Sequence, residues 1–244
     1  RFFASPWSPP TWMKSPRAYN HGRLIQSEQN LKAYAQYFVR FVQAYREQGV
    51  PVEAVHVQNE PNSDQKFPSC VWTGAEMRDF IKNYLGPAFE CAGLDCEIWA
   101  GTIERGSYDA WVNTILRDDQ AAAYVKGLGF QWAGKYCVQK TRLSWPEFPM
   151  VQTENECGDG NNTWSHAAHV FDLLWHYITN GVSAYVYWNM VLQPFGVSTW
   201  GWKQNAMITV DPTSLEVTYN HEFYVMKHVA GFVAPGAKVC RLSG

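Results

Sequence analysis

Strand-like and helix-like segments alternate along the chain, and this alternation limits the possible folds more than any other feature. Residues 52–58, 97–102 and 150–154 read as short apolar strands, whereas residues 28–48 and 164–179 repeat apolar side chains at helical spacing. Strands separated by helices are typical of βαβ units, which build parallel sheets. The sequence therefore predicts an α/β protein with a parallel sheet.

Further segments continue the pattern to about six β/α units. Ser27 is a candidate N-cap of the first long helix, and Gly49 lies just past its end. The other predicted elements are strands at 2–5, 127–132, 183–189 and near 237–242, and helices near 74–92, 108–124 and 219–231.

Composition argues against several classes of function. The net charge of -2 is unsuited to binding a phosphate backbone, so no nucleic-acid partner is expected. The chain shows no stretch of 18 apolar residues and no signal-like start, which predicts a soluble protein. Its 12 Trp suit stacking on sugar rings, although most Trp in any protein fill the core.

Neither the cysteines nor the histidines predict a metal site. The six Cys form no CxxC pair, which leaves buried thiols or one or two disulfides as the open alternatives. His166 and His169 stand three positions apart and could hold a metal, but that spacing is more often a polar helix face. We expect neither a metal nor a cofactor.

Two glutamates follow strands at a spacing that matches a barrel. Glu60 lies in the turn Asn59-Glu60-Pro61 after the strand at 52–58, and Glu154 ends the strand at 150–154. They are 94 positions apart, which equals three units of about 31 residues in an eight-unit barrel. Because the C-terminal strand ends of such a barrel form its active face, we expect the two carboxylates to converge.

Such a pair suits hydrolysis of an acetal. One carboxylic acid protonates the leaving oxygen, and the other carboxylate attacks or stabilises the sugar carbon. Apolar strand and a second carboxylate near Glu60 would raise its pKa, which favours Glu60 as the acid and Glu154 as the nucleophile. Glu156 is expected either behind the reacting groups or at the rim of the site. Each motif alone also reads as a capping turn or a solvated loop, and the equal spacing favours function.

Four motifs in order carry a family resemblance: SPWSPPTWMK (5–14), QNEP (58–61), QTE (152–154) and YWNM (187–190). Together they resemble glycoside hydrolase family 30, the group of glucosylceramidases, β-1,6-glucanases and related retaining β-glycosidases. The resemblance implies a (β/α)8 TIM-barrel fold of which this chain holds strands 3 to 8. It implies a partial catalytic barrel over 1–232 and the start of a C-terminal β segment over 233–244.

The resemblance also implies roles for single residues. Glu60 matches the acid/base, Glu154 the nucleophile, and Asn59 the residue that hydrogen-bonds the sugar 2-hydroxyl. Each Trp has a core-filling alternative, above all Trp12 and Trp132. The side chains expected to bind substrate are Trp7, Asn59, Trp132, Trp188 and Asn205.

The implied function is a retaining β-glycoside hydrolase that acts on β-glucosides, β-glucans or glucosylceramide-like substrates without a cofactor. Two departures matter: Gln131-Trp132-Ala133 stands where glucosylceramidases resemble HWY, and the family's barrel begins two strands earlier. The alternative is therefore a truncated, non-catalytic carbohydrate-binding remnant.

An open six-strand sheet exposes strand edges, which invites pairing. We expect association through the open edge with a second copy or with a complementing N-terminal fragment. The polymer or glycolipid substrates of the family favour a secreted, extracellular or lysosome-like location over the cytoplasm.

Overall fold

The computed structural model describes residues 2–240, in which strands and helices alternate as the sequence predicts. The strands are β1 (Phe2–Ala4), β2 (Lys14–Ser15), β3 (Arg23–Leu24), β4 (Val52–His56), β5 (Glu97–Ile103), β6 (Val125–Gln131), β7 (Met150–Glu154), β8 (Val182–Tyr185), β9 (Val191–Leu192), β10 (Ile208–Val210) and β11 (Val217–Tyr219). The helices are α1 (Glu28–Glu47), α2 (Gly74–Phe80), α3 (Gly86–Cys91), α4 (Thr114–Leu116), α5 (Asp119–Tyr124), α6 (Lys135–Ser144), α7 (Trp164–Thr179) and α8 (His221–Phe232). Shorter 3-10 turns and π-helical stretches lie at Thr11–Met13, Ile81–Leu85, Asp109–Asn113, Trp132–Gly134 and Pro194–Gly196.

The chain divides into two compact units, Arg1–Val151 and Gln152–Gly244, with the boundary inside β7. In the first unit β1, β4, β5 and β6 are neighbours in that order and pair in parallel. The Leu128 N–H on β6 donates to the Pro149 carbonyl just before β7, at 3.0 Å. Helices join these consecutive strands, which is the connection that a parallel sheet requires.

The second unit contains the rest of β7, helix α7 and strand β8. The Val186 N–H, just after β8, donates to the Gln152 carbonyl on β7 at 3.1 Å. A small sheet in the order β11-β10-β9 precedes α8. Each main strand thus stands beside the next one in the chain, which confirms the predicted fold class: a TIM-barrel type with about six β/α units, hence incomplete.

Local sequence explains why the first long helix forms where it does. The Ser27 hydroxyl accepts a hydrogen bond from the Asn30 N–H at 3.3 Å and so caps α1, as predicted. One face of α1 packs into an aromatic cluster in which the Tyr34 ring lies 4.9 Å from Phe38 and 5.5 Å from Phe80. Burial of this face stabilises the helix more than its intrinsic propensity does.

Several elements differ from the sequence prediction. The helix predicted at 108–124 breaks because Asp118 leaves the helix and accepts from the Ala121 N–H at 3.1 Å to cap α5. Helix α6 and the small sheet β9–β11 were not predicted, since α6 buries few side chains and these strands are only two or three residues long. Residues 233–240 form no strand, and residues 241–244 of the predicted C-terminal β segment lie outside the described residues.

Two further properties concern the described residues alone. None of the helices between residues 2 and 240 combines the length and the apolar character needed to cross a membrane. Cys70 and Cys137 are buried thiols, which agrees with one of the two alternatives for the cysteines.

Candidate active site

Glu60 lies beyond the end of β4, in a turn that is tied to neighbouring strands. Its φ of 48° is in the left-handed region, which non-glycine residues seldom adopt. Its N–H donates to the Thr102 hydroxyl at 3.4 Å, and its carbonyl accepts from the Ser63 N–H at 3.0 Å. The Gln131 side-chain amide donates to the Glu60 carboxylate at 3.3 Å. The end of β5 and the end of β6 therefore both contact the acid.

Asn59 and the loop that carries Trp7 are held beside Glu60. The Thr102 hydroxyl donates to the Asn59 side-chain oxygen at 3.0 Å, and the Asn59 N–H donates to the Pro6 carbonyl at 2.9 Å. The buried Gln58 amide donates to the Trp7 carbonyl and to the Asn59 carbonyl, both at 2.8 Å. The first unit thus brings together Trp7, Asn59 and Glu60.

A buried lysine fixes the rest of the Trp7 loop. The Lys14 ammonium is fully buried and donates to the Ser8 hydroxyl at 3.1 Å, the Tyr19 carbonyl at 2.9 Å and the Ser69 carbonyl at 2.5 Å. Burial lowers the pKa of Lys14, and its three hydrogen bonds satisfy all three donors of the ammonium group. We infer that Lys14 of the first motif serves the shape of the loop.

Trp132 follows Gln131 at the end of β6, in a tight turn. Its φ is 48°, and the turn continues to Gly134, whose N–H donates to the Glu104 carbonyl at 3.0 Å. A Cβ on Gly134 would stand 2.0 Å from the Ile103 carbonyl oxygen, so only glycine fits this close approach. The half-buried Trp132 is therefore placed next to the residue that contacts Glu60.

In the second unit, Glu154 is the last residue of β7 and is half-buried. The next residue, Asn155, is buried; its side-chain oxygen accepts from the Trp188 N–H, and its side-chain nitrogen donates to the Glu156 carbonyl at 2.9 Å. The Trp188 backbone is thereby held against Asn155, the residue that follows Glu154. Burial raises the pKa of the neighbouring Tyr187.

Glu156 lies between β7 and α7 and contacts one of the two histidines of α7. The Glu156 carboxylate lies 3.0 Å from the His169 side-chain nitrogen, and the His166 and His169 rings are 6.0 Å apart. Within residues 2–240, no three His, Cys, Asp or Glu side chains are grouped so that they could hold a metal ion.

For Asn205 the structure requires a correction. This residue is fully buried, and its side-chain oxygen accepts from the Gly160 N–H at 2.7 Å and the Asn162 N–H at 3.4 Å. Its side-chain nitrogen donates to the buried Glu222 carboxylate at 2.7 Å. Asn205 therefore holds the loop after Glu154, and it offers no surface to a sugar.

Sequence reasoning missed a set of buried polar side chains at the C-terminal ends of the strands. Each is at most 1% exposed and lies within two residues of the C-terminal end of a strand that carries apolar residues. A polar residue at the end of a buried strand was the available signal. The set consists of Gln58, Thr102, Glu104, Gln131 and Gln152.

Consecutive parallel strands with polar groups at their C-terminal ends are typical of the β/α-barrel class. Within that class, residues 1–233 match the glycosyl hydrolase family 30 TIM-barrel domain, and the chain belongs to this family. The match confirms the resemblance drawn from the four motifs.

Relatives and solved structures agree with this assignment. The chain is 32% identical to putative glucosylceramidase 4 of Caenorhabditis elegans, over 97% of this chain and 50% of the relative. It is 29% identical to the endo-1,6-beta-D-glucanase neg1 of Aspergillus fumigatus, over 100% of this chain and 53% of the relative. SrfJ from Salmonella typhimurium superimposes with a TM-score of 0.83 at 26% identity, over 96% of this chain and 54% of that chain. The chain thus spans about half the length of the curated relatives it matches.

Proposed function

We propose that the chain carries the catalytic carboxylates of a retaining β-glycoside hydrolase, with Glu60 as acid/base and Glu154 as nucleophile. The observation that carries the proposal is the position of the two residues. In a chain of family 30, Glu60 follows β4 and Glu154 ends β7, three main strands later along the chain. Groups at these strand ends are the ones that do chemistry in β/α barrels.

The reaction would proceed in two displacements. Glu154 attacks the anomeric carbon while the Glu60 carboxylic acid protonates the leaving oxygen, so the glycosidic bond breaks and a covalent glycosyl-enzyme forms. Water then attacks the same carbon, Glu60 takes its proton, and Glu154 is released as a carboxylate. The products are a free sugar that retains the β configuration and an alcohol.

Neighbouring side chains support a sugar site around Glu60. The hydrogen bond from the Gln131 side-chain amide to the Glu60 carboxylate would hold this group in place through both steps. With its side-chain oxygen accepting from Thr102, Asn59 offers its side-chain nitrogen to the sugar 2-hydroxyl. Trp7, Trp132 and Trp188 are half-buried and would provide apolar faces for the sugar ring.

The substrate class follows from the relatives. They are named as glucosylceramidases and endo-1,6-β-glucanases, so we propose a β-glucoside, a β-glucan or a glucosylceramide-like glycolipid. One relative is a lysosomal acid glucosylceramidase, which favours a lysosomal or extracellular location. Association through an open sheet edge, with a second copy or an N-terminal fragment, remains part of the proposal.

A second candidate is a carbohydrate-binding chain that turns nothing over. The observation that favours it is the coverage of about half of each relative. Hydrolysis of a chromogenic β-glucoside panel by wild type, Glu60→Gln and Glu154→Gln separates the two candidates. Turnover by wild type alone supports the enzyme. Wild-type turnover no higher than that of a double Gln variant, with sugar still bound, supports the binding chain.

A second measurement tests the mechanism. A retaining enzyme requires the two carboxyl groups to lie about 5–5.5 Å apart, whereas roughly 6.5–9.5 Å is typical of inversion. A crystal structure with a bound sugar gives this separation, and proton NMR of the first-formed product gives its anomeric configuration. An α product from a β-glucoside would contradict the proposal.

A further inference from the structure

The turn after Glu60 has a conformation that needs support from elsewhere in the protein. Glu60 adopts a positive φ, and its carbonyl accepts from Ser63 so that residues 60–63 close a tight turn. Left-handed backbone at a residue with a Cβ is strained and persists only where surrounding contacts enforce it. Glu60 is therefore expected to depend on the groups that hold this turn.

The main holding group is a carboxylate at the end of the next strand. Glu104 follows β5 and is 1% exposed. One oxygen accepts from the Ser63 hydroxyl at 2.7 Å and from the Asn62 N–H at 3.1 Å, and the Asn62 side-chain amide donates to the other oxygen at 3.4 Å. The exposed Arg105 lies 3.4 Å from the same carboxylate. Glu104 thus collects three donors from the two residues that close the turn.

The same turn is held at a second point, and these contacts orient the Asn62 side chain. The Trp111 indole N–H donates to the Asn62 side-chain oxygen at 3.0 Å, and the Asn62 side-chain nitrogen also donates to the Arg105 carbonyl at 2.9 Å. Asn62 is therefore fixed in orientation, and its N–H points at Glu104. Burial chiefly raises the pKa of Glu104, while the hydrogen bonds from Ser63 and Asn62 act in the opposite direction.

We propose that Glu104 is a positioning residue which, by binding Asn62 and Ser63, sets where the Glu60 carboxyl group stands. The inference rests on the proposed function, since it gives the position of Glu60 a catalytic meaning. A carboxyl group that must protonate a leaving oxygen has to lie within about 2.6–3.2 Å of it. A displacement of 1 Å can cost about 100-fold in rate.

The leaving group of the substrate distinguishes positioning of the acid from general damage. An alkyl β-glucoside needs a proton from Glu60 when its bond breaks, whereas a dinitrophenyl β-glucoside departs without one. For Glu104→Gln we expect kcat/KM on the alkyl glucoside to fall by on the order of 100-fold. On the dinitrophenyl glucoside the loss should stay below about threefold, since Glu154 is untouched. Equal losses on both substrates would overturn the proposal.

Matched controls come from the same strand and the same turn. Glu97 begins β5 and accepts a hydrogen bond from the Trp99 indole at 2.7 Å, so Glu97→Gln tests removal of a bonded carboxylate far from the turn. It should behave as wild type on both substrates. Ser63→Ala removes one of the three donors and keeps the carboxylate. It should give a smaller loss of kcat/KM with the same dependence on the leaving group. If Glu104→Gln folds poorly, Ser63→Ala replaces it as the test variant.

Hydrogen–deuterium exchange supplies a readout that needs no turnover. In Glu104→Gln the backbone amides of Glu60, Asn62 and Ser63 should exchange at least tenfold faster than in wild type, and in Glu97→Gln they should not. Unchanged exchange in this segment would overturn the proposal whatever the activity. If wild type hydrolyses neither glucoside, the proposed function fails, and the exchange result still decides whether Glu104 orders the turn.

Discussion

The loops that follow the two candidate carboxylates are held by different chemistry. After Glu60, the backbone N–H of Asn62 donates to the buried carboxylate of Glu104. After Glu154, the backbone N–H groups of Gly160 and Asn162 donate to a buried side-chain amide, that of Asn205. Each loop is thus organised by one buried acceptor that lies more than 40 positions away in the sequence.

The difference between the two acceptors has a physical consequence. A carboxylate binds N–H groups about twice as strongly as a neutral oxygen, but it can be protonated. An amide oxygen does not titrate, and here the amide also donates to the buried Glu222 carboxylate, so its loss would leave several groups unsatisfied at once. We therefore expect the stability of the Glu60 region to depend on pH. The stability of the Asn205 loop should depend on whether the Asn205 side chain is present.

The largest expected effect separates the roles of the two carboxylates themselves. Glu60→Ala should lower kcat/KM for alkyl glucosides by roughly 10²–10⁴-fold, the usual contribution of a general acid, and Glu154→Ala should remove turnover. With an activated substrate, azide should rescue Glu60→Ala by attacking the glycosyl-enzyme, which gives a β-glycosyl azide. With Glu154→Ala azide takes the place of the nucleophile and gives the α anomer.

Proton NMR of the azide product measures this outcome. The control is wild type treated with the same substrate and azide. The same anomer from both variants, or the reversed pair, would mean that the two roles are wrongly assigned. That result would also remove the functional contrast between the two loops.

The next effect concerns the loop held by the neutral acceptor. Asn205→Ala leaves two N–H groups and the Glu222 carboxylate without this partner, and each buried unsatisfied group costs about 1–3 kcal/mol. We expect the free energy of unfolding, measured by urea denaturation, to fall by about 3 kcal/mol.

Asn161→Ala in the same loop is the matched control. Asn161 is exposed and its side chain contacts Asp159, so a change below about 0.5 kcal/mol is expected. If both variants were equally stable, the Asn205 side chain would not organise the loop.

Much of the fold and part of the candidate site could be predicted from local patterns in the sequence. The helical spacing of apolar residues in α1, its Ser27 cap and the apolar strand β4 are all set by neighbours within a few positions, and each was predicted. The placement of Glu60 and Glu154 at strand ends also followed from local pattern plus the regular unit length of a barrel.

What could not be predicted depends on contacts between distant residues. Glu104 meets Ser63 across 41 positions and Asn205 meets Gly160 across 45, and no local pattern encodes such pairings. Asn205 was expected to bind sugar because its motif resembles a site residue, whereas its complete burial gives it a role inside the loop. Helix α6 was missed because its few buried side chains give a weak periodic signal.

A titratable group on β4 sharpens the pH contrast. His56 is buried, its side-chain nitrogen contacts the Ser5 hydroxyl at 2.9 Å, and burial lowers its pKa from 6.5 to about 3. Between these pH values the unfolded chain binds one proton more than the folded chain. The free energy of unfolding should therefore fall as the pH falls through this window, by at most about 1.4 kcal/mol per pH unit from this group.

Urea denaturation at a series of pH values between 7 and 4 measures the slope. His56→Gln keeps a polar side chain that can reach Ser5 and removes the titration, so its stability should depend less on pH than that of wild type. Parallel curves for the two proteins would show that His56 is not the source of the acid sensitivity of this region.

The smallest expected effect tests the choice between Glu154 and Glu156, which are two positions apart in the sequence. Glu156 pairs with His169 on α7, at a partly exposed position where an ion pair contributes about 0–1 kcal/mol. Glu156→Gln should therefore change kcat/KM by less than about fivefold, whereas Glu154→Gln should lose measurable turnover. The comparison uses the same activated glucoside for both variants. If Glu156→Gln were as inactive as Glu154→Gln while remaining folded, the nucleophile could not be assigned from the strand end alone, because a residue beyond β7 would be equally required.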